Sequence, residues 1–282
     1  MRSTVQRKIR MRIDYETDDW LMGHCFRQRM IIINVTNKCN VQCDCCFANS
    51  GPWGDAVIPS KVYDKVIGDF KNFDVNFSLQ GGEPTCFPET CKDIAEKVRK
   101  IGRRTCIVTN GLWGGDKKLL KFFIEECPID VYCISTDEWH QKHVPIKCVE
   151  TIADWLVDHP HKKIMYKRVP QTSMDALPEM MMDQLANPTN RHKIPTMVNH
   201  LYPAGRLSHK LGQPGYYHIH NPRIGIVITP GGKIKQSCEI EFQDDTIIGD
   251  VFRDDCKKVL VAPCPFKANG RCKTTTSPCE IK

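Results

Sequence analysis

Met30-Ile31-Ile32-Ile33-Asn34-Val35 runs, three residues later, into Cys39-Asn40-Val41-Gln42-Cys43-Asp44-Cys45-Cys46. The first run is short, continuous and β-branched, which reads as a strand buried on both faces. The second sets cysteines at the spacing C-x3-C-x2-C. Three thiolates on one tight loop can each hold an iron of a cubane iron–sulfur cluster, whereas a purely electron-carrying cluster normally has four. Three ligands leave one iron open, and an open metal position is where chemistry happens. Two other readings stay open: a tetrahedral zinc site with His24 or Cys45 as fourth ligand, or a group of buried thiols.

Outward from this loop, strands and helices alternate. Strands are expected over 30–35, 74–79, 104–109, 131–135, 163–168 and 195–199. Helices are expected over 60–70, 89–101, 116–127, 147–158 and near 177–185. Val62, Val66, Ile67 and Phe70, and then Ile94, Val98 and Ile101, mark the inward helix faces. Six strand–helix units with short connections argue for a parallel sheet with helices outside. That is too few for a closed eight-fold barrel and suits an open partial one, an α/β partial (β/α)6 TIM-like barrel. Beyond Gly205 the pattern breaks. Residues 223–229, Pro230-Gly231-Gly232 and 233–237 read as a β-hairpin. The Cys-, Lys- and Pro-rich tail has little periodicity and needs a metal or an interface to become ordered. The expected organisation is a lead-in over 1–29, the partial barrel over 30–205, and a small Cys-rich C-terminal domain containing the hairpin over 206–282.

The chain has 282 residues, 41% hydrophobic and 26% charged, enough to bury a full core. No run approaches the length of a membrane span, and the basic N-terminus lacks an apolar h-region, so a cytoplasmic protein without membrane contact is expected. The formal net charge of +7 is spread over scattered lysines, which fits solubility, an anionic substrate or, more weakly, nucleic acid. Sixteen cysteines are many for an ordinary enzyme. Four lie in 39–46, and Cys238, Cys256, Cys264, Cys272 and Cys279 lie in the last 45 residues. Two dense zones without a secretory signal point to two metal sites in a reducing compartment rather than a disulfide scaffold.

Further constellations fall at successive strand ends, where ligand residues gather in parallel α/β proteins. Gln80-Gly81-Gly82-Glu83-Pro84 follows the second strand; its glycines permit positive φ and close approach of a ligand, and its carboxylate can receive an ammonium group. Thr109-Asn110-Gly111 ends the third strand. Ser135 and Asp137, a hydroxyl and a carboxylate two residues apart after the fourth strand, suit ribose hydroxyls. His140 and His143 could touch substrate or relay a proton. Tyr202-Pro203-Ala204-Gly205-Arg206 lies beyond the sixth strand, and the fork of Arg206 matches a carboxylate.

Taken in this order, the cysteine loop, Gly-Gly-Glu-Pro, Thr-Asn-Gly and Ser-x-Asp resemble the radical S-adenosylmethionine (SAM) superfamily. The resemblance implies a [4Fe–4S] cluster on Cys39, Cys43 and Cys46, with Cys45 off the metal. It implies a SAM pocket at Gly81, Gly82, Glu83, Pro84, Thr109, Asn110, Ser135 and Asp137, with Arg206 facing SAM or substrate. The family's cluster reduces SAM to methionine and a 5'-deoxyadenosyl radical, which takes hydrogen from an unreactive carbon. An electron donor such as flavodoxin or ferredoxin is implied. In the family the residue before the third cysteine is often aromatic; here it is Cys45. The hairpin, Cys238 and Ile247-Ile248-Gly249-Asp250-Val251 resemble SPASM and twitch domains, which carry auxiliary clusters. An auxiliary iron–sulfur cluster on Cys238, Cys264, Cys272 and Cys279 is the expectation, with zinc at the same thiols as the competitor. By analogy with cluster-tailed relatives the substrate is a peptide or protein, ahead of a small molecule, nucleoside, nucleotide or RNA. A non-catalytic iron–sulfur or zinc protein that retains the barrel is the contrasting class.

Overall fold

The computed structural model describes residues 29–169, 194, 196–198, 206, 224–235 and 247–261. The stretch Arg29–Thr36 is strand β1, and Ile31, Ile32, Ile33 and Val35 on it are all at most 1% exposed. Burying each such side chain contributes roughly 1.5–3 kcal/mol, so β1 sits at the centre of the core. Helix α1 (Ser60–Phe70) turns Val62, Tyr63, Val66, Ile67 and Phe70 inward at 3–4-residue spacing. Strand β2 (Val75–Gly81) and helix α2 (Pro88–Lys100) follow, then β3 (Thr105–Thr109).

Asp116 caps helix α3 (Lys117–Lys121), accepting from the Lys118 and Leu119 N–H groups at 2.7 and 3.3 Å. The expected longer helix loosens after α3 into a π turn over Phe122–Glu126. Strand β4 (Val131–Ser135), the short helix α4 (Glu138–Gln141), helix α5 (Ile146–Val157) and strand β5 (Lys163–Arg168) complete the continuous part. Strand β6 is Thr196–Val198. The helix expected near 177–185 lies outside the described residues.

Strands β1 to β6 are parallel neighbours in sequence order, as a partial (β/α)6 barrel requires. The hairpin forms from β7 (Ile224–Ile228) and β8 (Lys233–Lys235), turning through Gly232 at φ 77°. Strand β7 pairs in parallel with β1, Ile31 opposite Ile226 and Ile33 opposite Ile228. The hairpin therefore extends the barrel sheet, which runs β6-β5-β4-β3-β2-β1-β7-β8-β9, with β9 at Ile247–Asp250. Helix α6 (Cys256–Val261) packs on α1, β7 and β9. Its Cys256 is fully buried, a core thiol whose burial pushes it up to about 12. No described helix is long and apolar enough to cross a membrane.

At the N-terminal end of the sheet, the buried Lys162 ammonium closes the carbonyls of Cys127 and Ile129, each at 2.9 Å. Burial lowers its pKa from 10.5 to about 8. Between those values the unfolded chain holds a proton that the folded chain has shed. Stability from this group therefore rises as pH climbs from about 8 to about 10.5. Lys162→Met should remove that rise. The wild-type advantage in urea unfolding, compared at pH 7.5 and pH 9.5, should grow by about 1–2 kcal/mol.

Candidate active site

The cysteine loop hangs from the C-terminal end of β1 and is pinched at its base. Thr36 Oγ1 donates to the Ala56 carbonyl at 2.6 Å, and Asn37 Oδ1 accepts from the Ala56 N–H at 2.8 Å. The Cys39 N–H reaches the Gly51 carbonyl at 3.0 Å. Inside the loop the Cys46 N–H donates to the Cys43 carbonyl at 3.2 Å, and the Ser50 N–H donates to Cys46 Sγ at 3.3 Å. Cys39 and Cys43 are buried, and Cys45 and Cys46 are half-buried. All described cysteines are free thiols.

Burial, with Glu83 second, pushes the Cys39 thiol far up. Burial and the neighbouring Cys46 push Cys43 up to about 12. Burial, then Asp137, raises Cys45. Thiols gathered on one loop in this way are a donor set that suits a thiolate-binding metal centre, iron–sulfur or zinc. Among the described residues no three His, Cys, Asp or Glu side chains converge on the single point that a lone ion needs. A cluster asks for a different arrangement, since each thiolate binds its own iron.

The Gly-Gly-Glu-Pro turn follows β2 and straps itself to the base of this loop. The Gly82 N–H donates to the Thr36 carbonyl and the Glu83 N–H to the Lys38 carbonyl, both at 2.7 Å. Gly81 takes φ 125°, and a Cβ there would lie 2.2 Å from the Thr36 oxygen. A Cβ on Gly82 would lie 2.0 Å from the Lys38 oxygen. The glycines are thus required by the neighbouring backbone, apart from any approach of a ligand.

Glu83 is 1% exposed. Its Oε1 accepts from Thr85 Oγ1 at 2.6 Å, Thr109 Oγ1 at 2.7 Å and the Thr85 N–H at 3.2 Å. Its Oε2 accepts from the Asn110 N–H at 2.8 Å. Burial raises this carboxyl above its ordinary range, against four donors that favour the ionised form. Pro84 opens the 3-10 turn that Glu83 caps. The carboxylate therefore ties the end of β2 to the end of β3. Glu83→Gln turns an amide N–H toward one of these donors. With hydrogen bonds to a charged group worth about 1.5–3 kcal/mol each, anaerobic urea unfolding should show a loss of about 3 kcal/mol. A pure ammonium ligand would lose SAM affinity with stability unchanged.

Thr109 also accepts from the Trp113 indole at 3.0 Å and the Gly111 N–H at 3.1 Å. Asn110 reaches toward the cysteine loop: its Nδ2 donates to Asn40 Oδ1 at 2.7 Å and lies 3.9 Å from Cys39 Sγ. Ser135 is buried at the end of β4. Asp137 is fully buried and caps α4; its Oδ1 meets His140 Nδ1 at 2.7 Å and its Oδ2 accepts from the Val169 N–H at 3.1 Å. His140 is thereby held by Asp137, while His143 stays exposed. The buried Arg206 donates to the carbonyls of Cys43 and Ser50, and its N–H donates to the Cys46 carbonyl at 2.9 Å. Gly82, Glu83 and Asn110 thus contact the cysteine loop or its base, and Asp137 lies near its thiols. Cys238, Cys264, Cys272 and Cys279 lie outside the described residues.

Thr85, Asn40, Trp113 and Val169 hold the site together and were not singled out in the sequence. Only Thr85 carried a local signal: Glu-Pro-Thr places a carboxylate as cap, proline at the first helical position and a donor next to it.

A parallel sheet with a three-cysteine loop after its first strand, and a glycine-rich strap after its second, defines the radical SAM class. The chain matches the Radical SAM superfamily over residues 33–178, just over half its length, and belongs to that superfamily. The family implies a [4Fe–4S] cluster and SAM. Among curated proteins it is 25% identical over 137 residues to "Putative peptide biosynthesis protein YydG" of Bacillus subtilis (strain 168). That alignment covers 47% of this chain and 43% of the relative, so the match spans under half of the relative's length. Among solved structures, anSMEcpe with bound AdoMet and Cp18Cys peptide is similar at TM-score 0.58 and 14% identity, over 82% of this chain and 80% of that one. Streptococcus suis SuiB bound to S-adenosylmethionine is similar at TM-score 0.59 and 15% identity, over 86% of this chain and 68% of that one. These structural likenesses carry the fold.

Proposed function

We propose that the chain is a radical SAM enzyme that modifies a peptide, with its cluster on Cys39, Cys43 and Cys46. The observation that carries this reading is the meeting of the three-thiol loop with the Gly81–Gly82 strap at adjoining strand ends. When bound, the cluster and SAM supply a 5'-deoxyadenosyl radical that abstracts hydrogen from substrate. The chain's residues do the rest. Gly81, Gly82, Glu83 and Pro84 form one wall of the SAM pocket, with Glu83 holding Thr109 and Asn110 in place as a second wall. Ser135 and Asp137 form a third wall toward the ribose, Asp137 also fixing His140.

The peptide substrate rests on relatives: YydG is named for peptide biosynthesis, and SuiB has been solved bound to precursor peptide SuiA. The electron donor is a flavodoxin- or ferredoxin-like protein. Cys238, Cys264, Cys272 and Cys279 hold an auxiliary iron–sulfur cluster that anchors substrate or takes an electron from the product radical.

Anaerobically reconstituted, dithionite-reduced protein should convert SAM to 5'-deoxyadenosine. Deuterium placed on a substrate peptide should appear in that product. Iron and sulfide near eight of each per chain would support both clusters, and near four only the first. Zinc-loaded protein that forms no 5'-deoxyadenosine after iron reconstitution would defeat the reading.

A further inference from the structure

Arg206 is 7% exposed and reaches the cysteine loop from a segment 160 residues away in sequence. Among the described residues its contacts run over Cys43 to Trp53. Its guanidinium donates to the Cys43 and Ser50 carbonyls, its N–H to the Cys46 carbonyl at 2.9 Å, and its Cζ lies 5.2 Å from the Trp53 ring centroid. The fork that suits a carboxylate is spent on two loop carbonyls, one of them on a cluster cysteine.

Carboxylates also lie near the thiols. Glu83 acts on Cys39, and Asp137 and Asp44 act on Cys43. Asp44 meets Lys142 at 3.8 Å, but that lysine is half exposed and screened by water. Among the described residues, Arg206 is the buried cation seated against this loop, on the Cys43 and Ser50 carbonyls. Two neutral donors complete the set: Asn110 Nδ2 at 3.9 Å from Cys39 Sγ, and the Ser50 N–H at 3.3 Å from Cys46 Sγ.

We propose that Arg206 is a positioning residue for the cluster: it fixes the cysteine loop and supplies a buried positive charge that makes the cluster easier to reduce. This rests on the cluster assignment to Cys39, Cys43 and Cys46. One electron passes from the reductant to the cluster, no bond is made or broken, and the cluster gains one negative charge. A fixed cation in a poorly solvated site stabilises that added charge far more than an exposed one does. Donors around cluster sulfurs and burial are levers on cluster potential.

The test is an EPR-monitored redox titration without SAM on reconstituted wild type, Arg206→Met and Arg206→Lys, with SAM affinity measured in parallel. At the poise where wild type is half reduced, Arg206→Met should show a reduced-to-oxidised ratio about tenfold lower. Arg206→Lys keeps the charge and should stay within about threefold of wild type. SAM affinity should change by less than about twofold in both. An unchanged potential in Arg206→Met would overturn the proposal, above all if SAM affinity fell instead, since Arg206 would then be a cofactor contact. If Arg206→Met assembles no cluster, a wild-type-like potential in Arg206→Lys upholds the charge role. Loss of the cluster from both variants overturns it in favour of loop folding alone. Wild type that assembles no [4Fe–4S] cluster would sink the underlying assignment instead, and that result precedes any variant.

Discussion

Cys43→Ala is expected to give a folded chain that carries about four fewer iron ions and forms no detectable 5'-deoxyadenosine from SAM. Cys43 is 5% exposed and lies at the middle of the loop, its carbonyl held by both Arg206 and the Cys46 N–H. Those contacts are made by the backbone and survive removal of the thiol. Losing one buried sulfur costs about 1–2 kcal/mol, which a domain of this size tolerates, and circular dichroism should confirm the fold. Cys45→Ala is the control. Cys45 is half-buried beside the same thiols, with Asp137 nearby, yet it lies outside the C-x3-C-x2-C spacing. It should keep iron content and SAM cleavage. If Cys45→Ala loses the iron and Cys43→Ala keeps it, the ligand assignment fails. If neither variant loses metal, the loop is a set of buried thiols.

The second large effect is expected at Gly82→Ala. The added Cβ would lie 2.0 Å from the Lys38 oxygen and 2.5 Å from its carbonyl carbon. Both are backbone atoms, so no side chain can rotate away. Relief requires the strap to lift, which breaks the Gly82–Thr36 and Glu83–Lys38 hydrogen bonds. Two such bonds at about 1 kcal/mol each, together with the residual clash at about 1–3 kcal/mol, predict a loss near 3–5 kcal/mol. Urea unfolding of the apoprotein checks this without any cofactor present. SAM cleavage should fall with it, because lifting the strap also withdraws Glu83 from Thr109 and Asn110. Unchanged apoprotein stability with lost activity would mean that Gly82 serves the ligand alone.

The alternation of elements was legible because each left a local trace. Ser60–Phe70, Val131–Ser135 and Lys163–Arg168 occur with the bounds expected from periodicity and β-branched runs. The π turn at Phe122–Glu126 was not, because the Tyr132 hydroxyl that donates to the Phe123 carbonyl comes from the following strand. The pairing of β7 with β1 joins residues nearly 200 apart, and a parallel register over that separation leaves no mark in either segment. At the site, residue types and order announced the cysteine loop and its neighbours. What they could not announce was how partners are shared. The four donors on Glu83 include two from β3 and the residue after it, and the two carbonyls taken by Arg206 belong to a loop far upstream.

The position of β1 between β2 and β7 has a consequence for how the protein is made. The strand that carries the cysteine loop leaves the ribosome well before its second neighbour, so that edge stays open until Ile224–Ile228 has been synthesised. Arg206 arrives late as well. At about 5–20 residues per second, the loop waits roughly 10–40 seconds in a half-built sheet. Its thiols are exposed to oxidation in that interval, and its strand edge is open to pairing with other chains. On the proposed cluster assignment, loading is expected to follow the synthesis of Ile224–Ile228. Nascent chains stalled before β7 should take up little iron and should aggregate more readily than full-length ones.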